Sequence, residues 1–576
     1  MLLKLLRYLK PFTWPILAVL VLLFMQALAD LYLPTLMSDI VDIGIVQGDT
    51  QFILRVGLVM LSYAALSALC LVTASYLSAR IAMGFGRNLR SLVFSRVSGY
   101  SLQEFNRLGT ASLITRTTND ITQVQQVVVM ILRMMVTAPI MCVGGLIMAV
   151  SKDAHLTLIF VLVLPLLAGM IWFITRRSVP LFRAMQVKLD KLNLVLREEL
   201  TGIRVIRAFN RLEHETARFN QANSDLTNTA IKVNKLMASL MPLMMLVMNL
   251  ATVAIVWFGG LRVDLGEMQV GDMMAFLQYA MQIMFSLVMI SMMLIMIPRA
   301  EASAVRINEV LDLVPEIKDA DRVKEAQGER GLVEFKNVTF SYPGAEQPVL
   351  SNISFTAAPG EVTAIIGGTG VGKSTLINLI PRFYDIDSGS ILVDGVDVRQ
   401  LSQASLRAKI GYVPQKAVLF TGTIADNIRF GKENATLEEI KQAAVIAQAD
   451  EFISKLPEGY DTVLAQGGTN ISGGQKQRLA IARALVRQPK IYLFDDTFSA
   501  LDYQTDAKLR AALKKATASA TVILVAQRVS TIMDADRIIV LDKGKITGMG
   551  KHRELLATCQ VYREIVASQL SEEEIA

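Results

Sequence analysis

The sequence predicts a multidomain chain, an all-α domain of six membrane spans followed by an α/β domain. Three observations lead there. Apolar residues make up 52% of the 576 positions and charged residues only 19%, and mean hydropathy is +0.43, well above a soluble average. The apolar excess lies in residues 14–300, whereas 331–576 have ordinary soluble composition. In that second part Gly367–Ser374 reads GGTGVGKS, the P-loop pattern G-x-x-x-x-G-K-[ST] between an apolar strand and a helix.

In chain order, Lys4, Arg7 and Lys10 stand at helical spacing among leucines, as in an amphipathic helix lying in a membrane interface. A signal peptide fits less well, because Trp14–Ile45 is longer than an h-region and no small-residue cleavage site follows it. Six spans are predicted at 14–45, 52–80, 127–150, 155–175, 239–261 and 272–298, each with the ~20 apolar residues that cross a hydrocarbon core. Basic residues crowd 81–126 and 176–238, among them Arg87, Arg96, Arg183 and Lys188, while 46–51 and 262–271 have few. The net charge of +7 is therefore a positive-inside bias and no nucleic-acid footprint. It puts both long loops, the N-terminus and the second half in the cytoplasm. Cys70, Cys142 and Cys559 are too scattered for a disulfide framework or a metal site.

The two long loops are polar but helix-compatible, so their helices are expected to continue into the cytoplasm at about 1.5 Å per residue. Phe105–Gly109 and Leu200–Gly202 are expected to break them and hold short transverse helices. Residues 313–330 are polar and turn-rich, as in a linker. The expected domains are thus 1–312, the linker 313–330, and 331–576. From Gly331 strands and helices alternate, the pattern of a largely parallel sheet.

The chemistry concentrates in that last part. Gly367, Gly368, Thr369, Gly370, Val371 and Gly372 would bring backbone N–H groups close to phosphates at a helix N-terminus. Lys373 would reach the β- and γ-phosphates and the Ser374 hydroxyl would take Mg²⁺, with Thr375 following in the helix. Asp495 closes the apolar run Ile491–Phe494 and supplies an acidic partner for Mg²⁺ through water. ATP and Mg²⁺ are the expected cofactors.

With these motifs in place, the whole chain resembles an ABC transporter half-subunit of the exporter type, a six-helix membrane domain fused to an α/β P-loop ABC nucleotide-binding domain. Ile471-Ser472-Gly473-Gly474-Gln475 is similar to the family signature LSGGQ. Tyr342 sits where the family stacks an aromatic on adenine, although the residues alone allow a strand-end core tyrosine equally. Gln415 matches the Q-loop glutamine that touches Mg²⁺, and Ser499–Asp502 matches the D-loop, which places Asp502. The resemblance implies two nucleotide domains facing head to tail, each ATP lying between one P-loop and the other domain's Ser472–Gln475.

Two departures matter more than these matches. Asp496 stands where the family has its catalytic glutamate. One methylene less withdraws the carboxylate by about 1.5 Å, and ~1 Å errors can cost ~10²-fold. Gln527 replaces the switch histidine, and an amide cannot become cationic or act as acid or base. Gln466, just before the signature, removes a further charge. The chain therefore resembles the degenerate-site half of a bacterial heterodimeric multidrug exporter. It is expected to hydrolyse ATP weakly alone and to lend its intact signature to a partner chain carrying glutamate and histidine.

The expected cargo is hydrophobic or amphipathic, drug or lipid, cationic molecules included, across the bacterial inner membrane. A lipid flippase, an importer or a regulatory protein on the same scaffold stays open. Six apolar spans exclude a soluble P-loop ATPase acting on DNA. Methionines at 237–248 and 281–296 suit a plastic ligand surface or lipid-facing packing. Asp30, with Gln26 one turn away, is an intramembrane carboxylate and hence a functional candidate. It would attract cations or pair with a polar neighbour, and pairing is the favoured reading.

Overall fold

The structure, a computed structural model, describes residues 1–320, 322–324, 328 and 330–570, and only the backbone of residues 291, 292, 294 and 295. Part of the expected linker and the side chain of Met292 thus lie outside the described residues. Within them, contacts divide the chain into two compact units. One is Met1–Ser98 with Leu108–Leu313, and the other is Gly99–Arg107 with Val314–Ala576.

In the first unit, six helices are long and apolar enough to cross a membrane. They include Thr13–Asp39, Thr50–Ser98, Ile121–Lys152, Leu158–Ala208, Leu212–Asp264 and Val270–Asp312. Helices are the natural choice because each satisfies its backbone polar groups internally. Only 11–39% of each apolar window is buried within the chain, and Trp14 and Leu162 are 82% and 75% exposed. Such outward apolar faces suit a lipid solvent. Where spans do pack, small residues let them approach. A Cβ added at Gly145 would lie 2.9 Å from Ile283 Cγ1, and one at Gly144 2.4 Å from Leu31, which locks the first, third and sixth spans together.

The 49-residue helix Thr50–Ser98 measures about 74 Å at 1.5 Å per residue, more than twice a ~30 Å hydrocarbon core. The long loops are thus helical extensions. The first is broken by a separate short helix, Leu102–Leu108. The second differs from expectation: Leu200–Gly202 lies inside the unbroken helix Leu158–Ala208. One glycine costs a helix only about 1 kcal/mol, too little to end it. The chain turns instead at Phe209–Arg211, where Asn210 takes a left-handed φ of 52°, and no transverse helix forms there.

The second unit is built on two sheets and a small ribbon. Strands β1 (Val333–Phe340), β2 (Leu350–Ala357), β4 (Ser388–Val393) and β5 (Val396–Asp397) form an antiparallel sheet in the order β2-β1-β4-β5. The main sheet takes β3 (Val362–Gly367), β6 (Ile410–Val413), β9 (Ile491–Asp495), β10 (Thr521–Val525), β11 (Arg537–Asp542) and β12 (Lys545–Gly550). Its order is β12-β11-β3-β10-β9-β6, parallel except for the β11–β12 edge. Two-residue strands β7 (Gly422–Thr423) and β8 (Val463–Leu464) pair separately. Every residue of β9 and β10 is buried, as parallel strands covered on both faces require. Because β3, β10 and β9 are adjacent and parallel, their carboxyl ends deliver the P-loop, Gln527 and Asp495–Asp496 to one edge, where ligands bind in open α/β sheets.

Candidate nucleotide site and membrane polar cluster

The P-loop leaves β3 at Gly367 and enters the helix Lys373–Leu379. Glycine is demanded at its start, since a Cβ on Gly367 would sit 2.2 Å from the Leu541 carbonyl oxygen. Gly372 is left-handed at φ 98°, which aims the following amides into the loop. Lys373 Nζ donates to the carbonyls of Gly367 (2.8 Å) and Gly368 (2.6 Å). Ser374 Oγ donates to Asp495 Oδ1 at 2.8 Å, so a hydroxyl and a carboxylate meet at the helix start. Hard oxygen donors of this kind, one or two from protein with the rest from phosphates and water, suit Mg²⁺. Among the described residues no group of three or more His, Cys, Asp or Glu is placed to hold a metal ion.

Tyr342, Thr369, Gly370, Gly372, Lys373, Ser374, Thr375, Gln415, Asp496 and Gln527 converge on one cavity of about 340 Å³. Tyr342 donates to or accepts from Thr375 Oγ1 at 3.0 Å, and its ring meets that of Tyr384 edge-on at 5.4 Å. It is at once a cavity wall and a packed aromatic.

The two altered positions touch each other. Gln527 Nε2 donates to Asp496 Oδ2 at 2.8 Å, and Gln415 Nε2 donates to the same oxygen at 3.1 Å. Asp496 takes a left-handed φ of 46°, a conformation aspartate tolerates better than most residues. Its N–H donates to Val525 O (3.0 Å) and its carbonyl accepts from Ser499 Oγ (2.9 Å). Burial pushes the carboxyl groups of Asp495 and Asp496 above their usual range and the Lys373 ammonium below its own. In each case burial disfavours the charged form, and opposite charges nearby only partly offset it.

The signature residues do not line this cavity. Ser472 caps the helix Gly473–Val486, and its capping box with Gln475 joins Ser472 N to Gln475 Oε1 at 2.8 Å and Gln475 N to Ser472 Oγ at 3.3 Å. Ser472 and Gly473 are exposed, so this helix start is open to an anion brought by another molecule. Asp502 caps the helix Tyr503–Ala516 by accepting from Thr505 N at 2.9 Å. Gln466 is exposed in a short 3₁₀ turn.

Sequence reasoning missed Gln569. Its Nε2 donates to the Gln527 carbonyl at 2.8 Å and its Oε1 accepts from Val529 N at 2.8 Å, so the end of the chain brackets the switch segment. No motif marks it, and it lies 42 positions after Gln527. Tyr384 was missed as well; its hydroxyl accepts from Asn106 Nδ2 at 3.3 Å, joining the short helix Leu102–Leu108 to the aromatic wall of the cavity.

In the membrane unit, Asp30 Oδ2 accepts from Gln26 Nε2 (3.1 Å) and Oδ1 accepts from Ser67 Oγ (2.5 Å). Gln282 Nε2 donates to the Asp30 carbonyl at 3.4 Å. Of the span methionines, Met244 and Met284 are buried while Met241, Met245 and Met281 face outward.

A P-loop cavity on a parallel sheet, an anion-ready helix start elsewhere on the same unit, and six membrane helices together define an ABC exporter half-transporter. Comparison with known proteins agrees. Residues 16–287 match the ABC transporter transmembrane region and 350–499 match the ABC transporter family. An uncharacterized ABC transporter ATP-binding protein of Mycobacterium tuberculosis is 47% identical over 574 residues, covering 99% of this chain and 98% of that protein. A fatty acid ABC transporter ATP-binding/permease protein of Mycobacterium bovis is 38% identical over 478 residues, 83% of this chain and 75% of that one. Among solved structures, a bacterial Atm1-family ABC exporter with ATP bound superposes with a TM-score of 0.81 at 28% identity, covering 97% of this chain and 98% of that one.

The chain belongs to the ABC transporter family and has the Atm1-family exporter fold. It is a multi-pass membrane protein with an ATP-binding domain in the cytoplasm, and exporters of this kind work as dimers.

Proposed function

We propose that this chain is one half of a heterodimeric exporter of the bacterial inner membrane, moving hydrophobic or amphipathic compounds, drugs or lipids. Its transmembrane domain spans 1–312 and its nucleotide-binding domain 331–576, joined by 313–330. Residues Gly367–Thr375, Tyr342, Gln415 and Asp495 hold ATP and Mg²⁺ in cis, while Ser472–Gln475 and Asp502 serve the partner's ATP in trans. The observation that supports this reading is the 2.8 Å contact between Gln527 and Asp496. The carboxylate at the base position is short and already accepts two amides, and its switch partner cannot carry charge. Such a site grips ATP but orients and deprotonates water poorly. The partner chain, with glutamate and histidine at the matching positions, then performs most of the turnover, and two-site occupancy biases the membrane helices between their states.

The test is ATP hydrolysis by the purified chain alone and then with its partner. Tight ATP binding with little hydrolysis alone, and fast hydrolysis together, is expected; ordinary rates of ~1–10 s⁻¹ from the chain alone would sink the reading. A lipid flippase is the second reading, favoured by the relative named as a fatty acid transporter. Flipping of labelled lipids in vesicles against efflux of drugs separates the two.

A further inference from the structure

We propose that Asp30, Gln26, Ser67 and Gln282 form a membrane-embedded site for an ammonium group, so that the exporter's cargo includes amphipathic amines. This rests on the exporter reading and names a substrate class for it. Three helices meet here. Counted from their non-cytoplasmic ends at about 1.5 Å per residue, Asp30 lies roughly 22 Å, Ser67 roughly 26 Å and Gln282 roughly 18 Å deep, within a ~30 Å hydrocarbon slab.

Asp30 is paired, as the sequence favoured, but only with neutral donors, the Ser67 hydroxyl and the Gln26 amide. Among the described residues it has no ion-pair partner. Neutral hydrogen bonds leave the carboxylate charge uncompensated in a medium where a lone charge costs several kcal/mol. The same cluster holds two more unanswered acceptors. Gln26 Oε1 and Gln282 Oε1 are buried without a partner, and Gln26 is only 8% exposed. Both amide heads are fixed at Asp30, since Gln26 Nε2 bonds its carboxylate and Gln282 Nε2 its carbonyl. One negative charge and two orphaned acceptors call for a compact group with one positive charge and several N–H donors. A protonated amine carries up to three. An alcohol supplies one donor and no charge, and a carboxylate would be repelled.

The test uses the full-length chain in nanodiscs of neutral lipid, with radiolabelled dodecylammonium and dodecanol as probes and empty nanodiscs as background. Saturable binding of dodecylammonium at least about 10-fold tighter than dodecanol is expected, given even a partly screened ion contact. Asp30→Asn, which keeps an oxygen for Ser67, is expected to erase that difference, and Asp30→Glu to keep most of it. Gln26→Leu with Gln282→Leu removes the orphan acceptors and is expected to weaken the amine alone. ATP binding serves as the folding control.

Competition by lysophosphatidylethanolamine would assign the ammonium to an aminolipid, and its absence to free amines. Equal affinity for amine and alcohol in the wild type, or unchanged amine affinity in folded Asp30→Asn, would overturn the proposal. Rapid hydrolysis by the chain alone would remove the heterodimer reading and leave this binding untouched.

Discussion

Two carboxylates in this protein are held in nearly the same way. Asp496 accepts amide N–H groups from Gln415 and Gln527; Asp30 accepts one from Gln26 and a hydroxyl from Ser67. Their surroundings differ. Asp496 lines a cavity together with Lys373, whose ammonium also feels the nearby Asp495 charge, at the carboxyl edge of the sheet that carries the P-loop. Among the described residues Asp30 has no ion-pair partner, and two orphaned amide oxygens lie in its cluster. The lesson is that local hydrogen bonding does not set a carboxylate's role. Net charge does: on the readings proposed above, the first cluster would be completed by Mg²⁺ and phosphates and the second by a cation.

The comparison is broken most sharply by restoring charge to the first cluster. Asp496→Glu combined with Gln527→His returns carboxylate reach and an ionisable switch, and hydrolysis at this site with the partner chain present is expected to rise about 10²-fold. Steady-state phosphate release, with the partner's own site inactivated, reads it. An unchanged rate would mean that something other than these two side chains limits turnover. Removing the cation is the next largest change. Lys373→Ala deletes charged hydrogen bonds worth about 1.5–3 kcal/mol each, so ATP affinity is expected to fall by at least about 10-fold in nucleotide titration.

Smaller effects sharpen the contrast. Gln569→Ala removes two hydrogen bonds from the switch segment, each worth about 1 kcal/mol net. Thermal unfolding of the cytoplasmic domain should shift down, while ATP affinity should change less than about 2-fold. If affinity falls as steeply as it does for Lys373→Ala, Gln569 does more than hold the loop.

The smallest effect is a pH dependence. The Asp496 carboxyl is raised by burial, so above that raised value the ionised form disfavours folding. The penalty is relieved as pH falls toward the ordinary carboxylate range, and vanishes below it, where folded and unfolded chains are both protonated. Asp496→Asn should therefore stabilise the nucleotide-free protein at pH 7 and have little effect near pH 3. A stability difference independent of pH would refute this assignment.

The P-loop, the apolar run into Asp495, ISGGQ and the six apolar stretches are legible in the sequence because each is a contiguous pattern with its own local physics. Glycine spacing makes the phosphate loop, and runs of ~20 apolar residues make spans. The second loop's turn was misplaced to Leu200–Gly202 because a lone glycine is a weak helix breaker, whereas Asn210 ends the helix by adopting a left-handed backbone. Gln569 was invisible, since a glutamine in the turn after the helix Gln560–Ala567 carries no pattern.

What the sequence determined by itself was the identity of the groups: a shortened acid at 496, an amide at 527, an acid at 30. Only the tertiary structure decided their company. Adjacent parallel strands β9 and β10 put Gln527 on Asp496 although the two are 31 positions apart in sequence. Three packed helices brought Ser67 and Gln282 to Asp30 and left two acceptors unanswered. Covalent order fixes which charges exist, whereas burial and packing fix which of them find a partner.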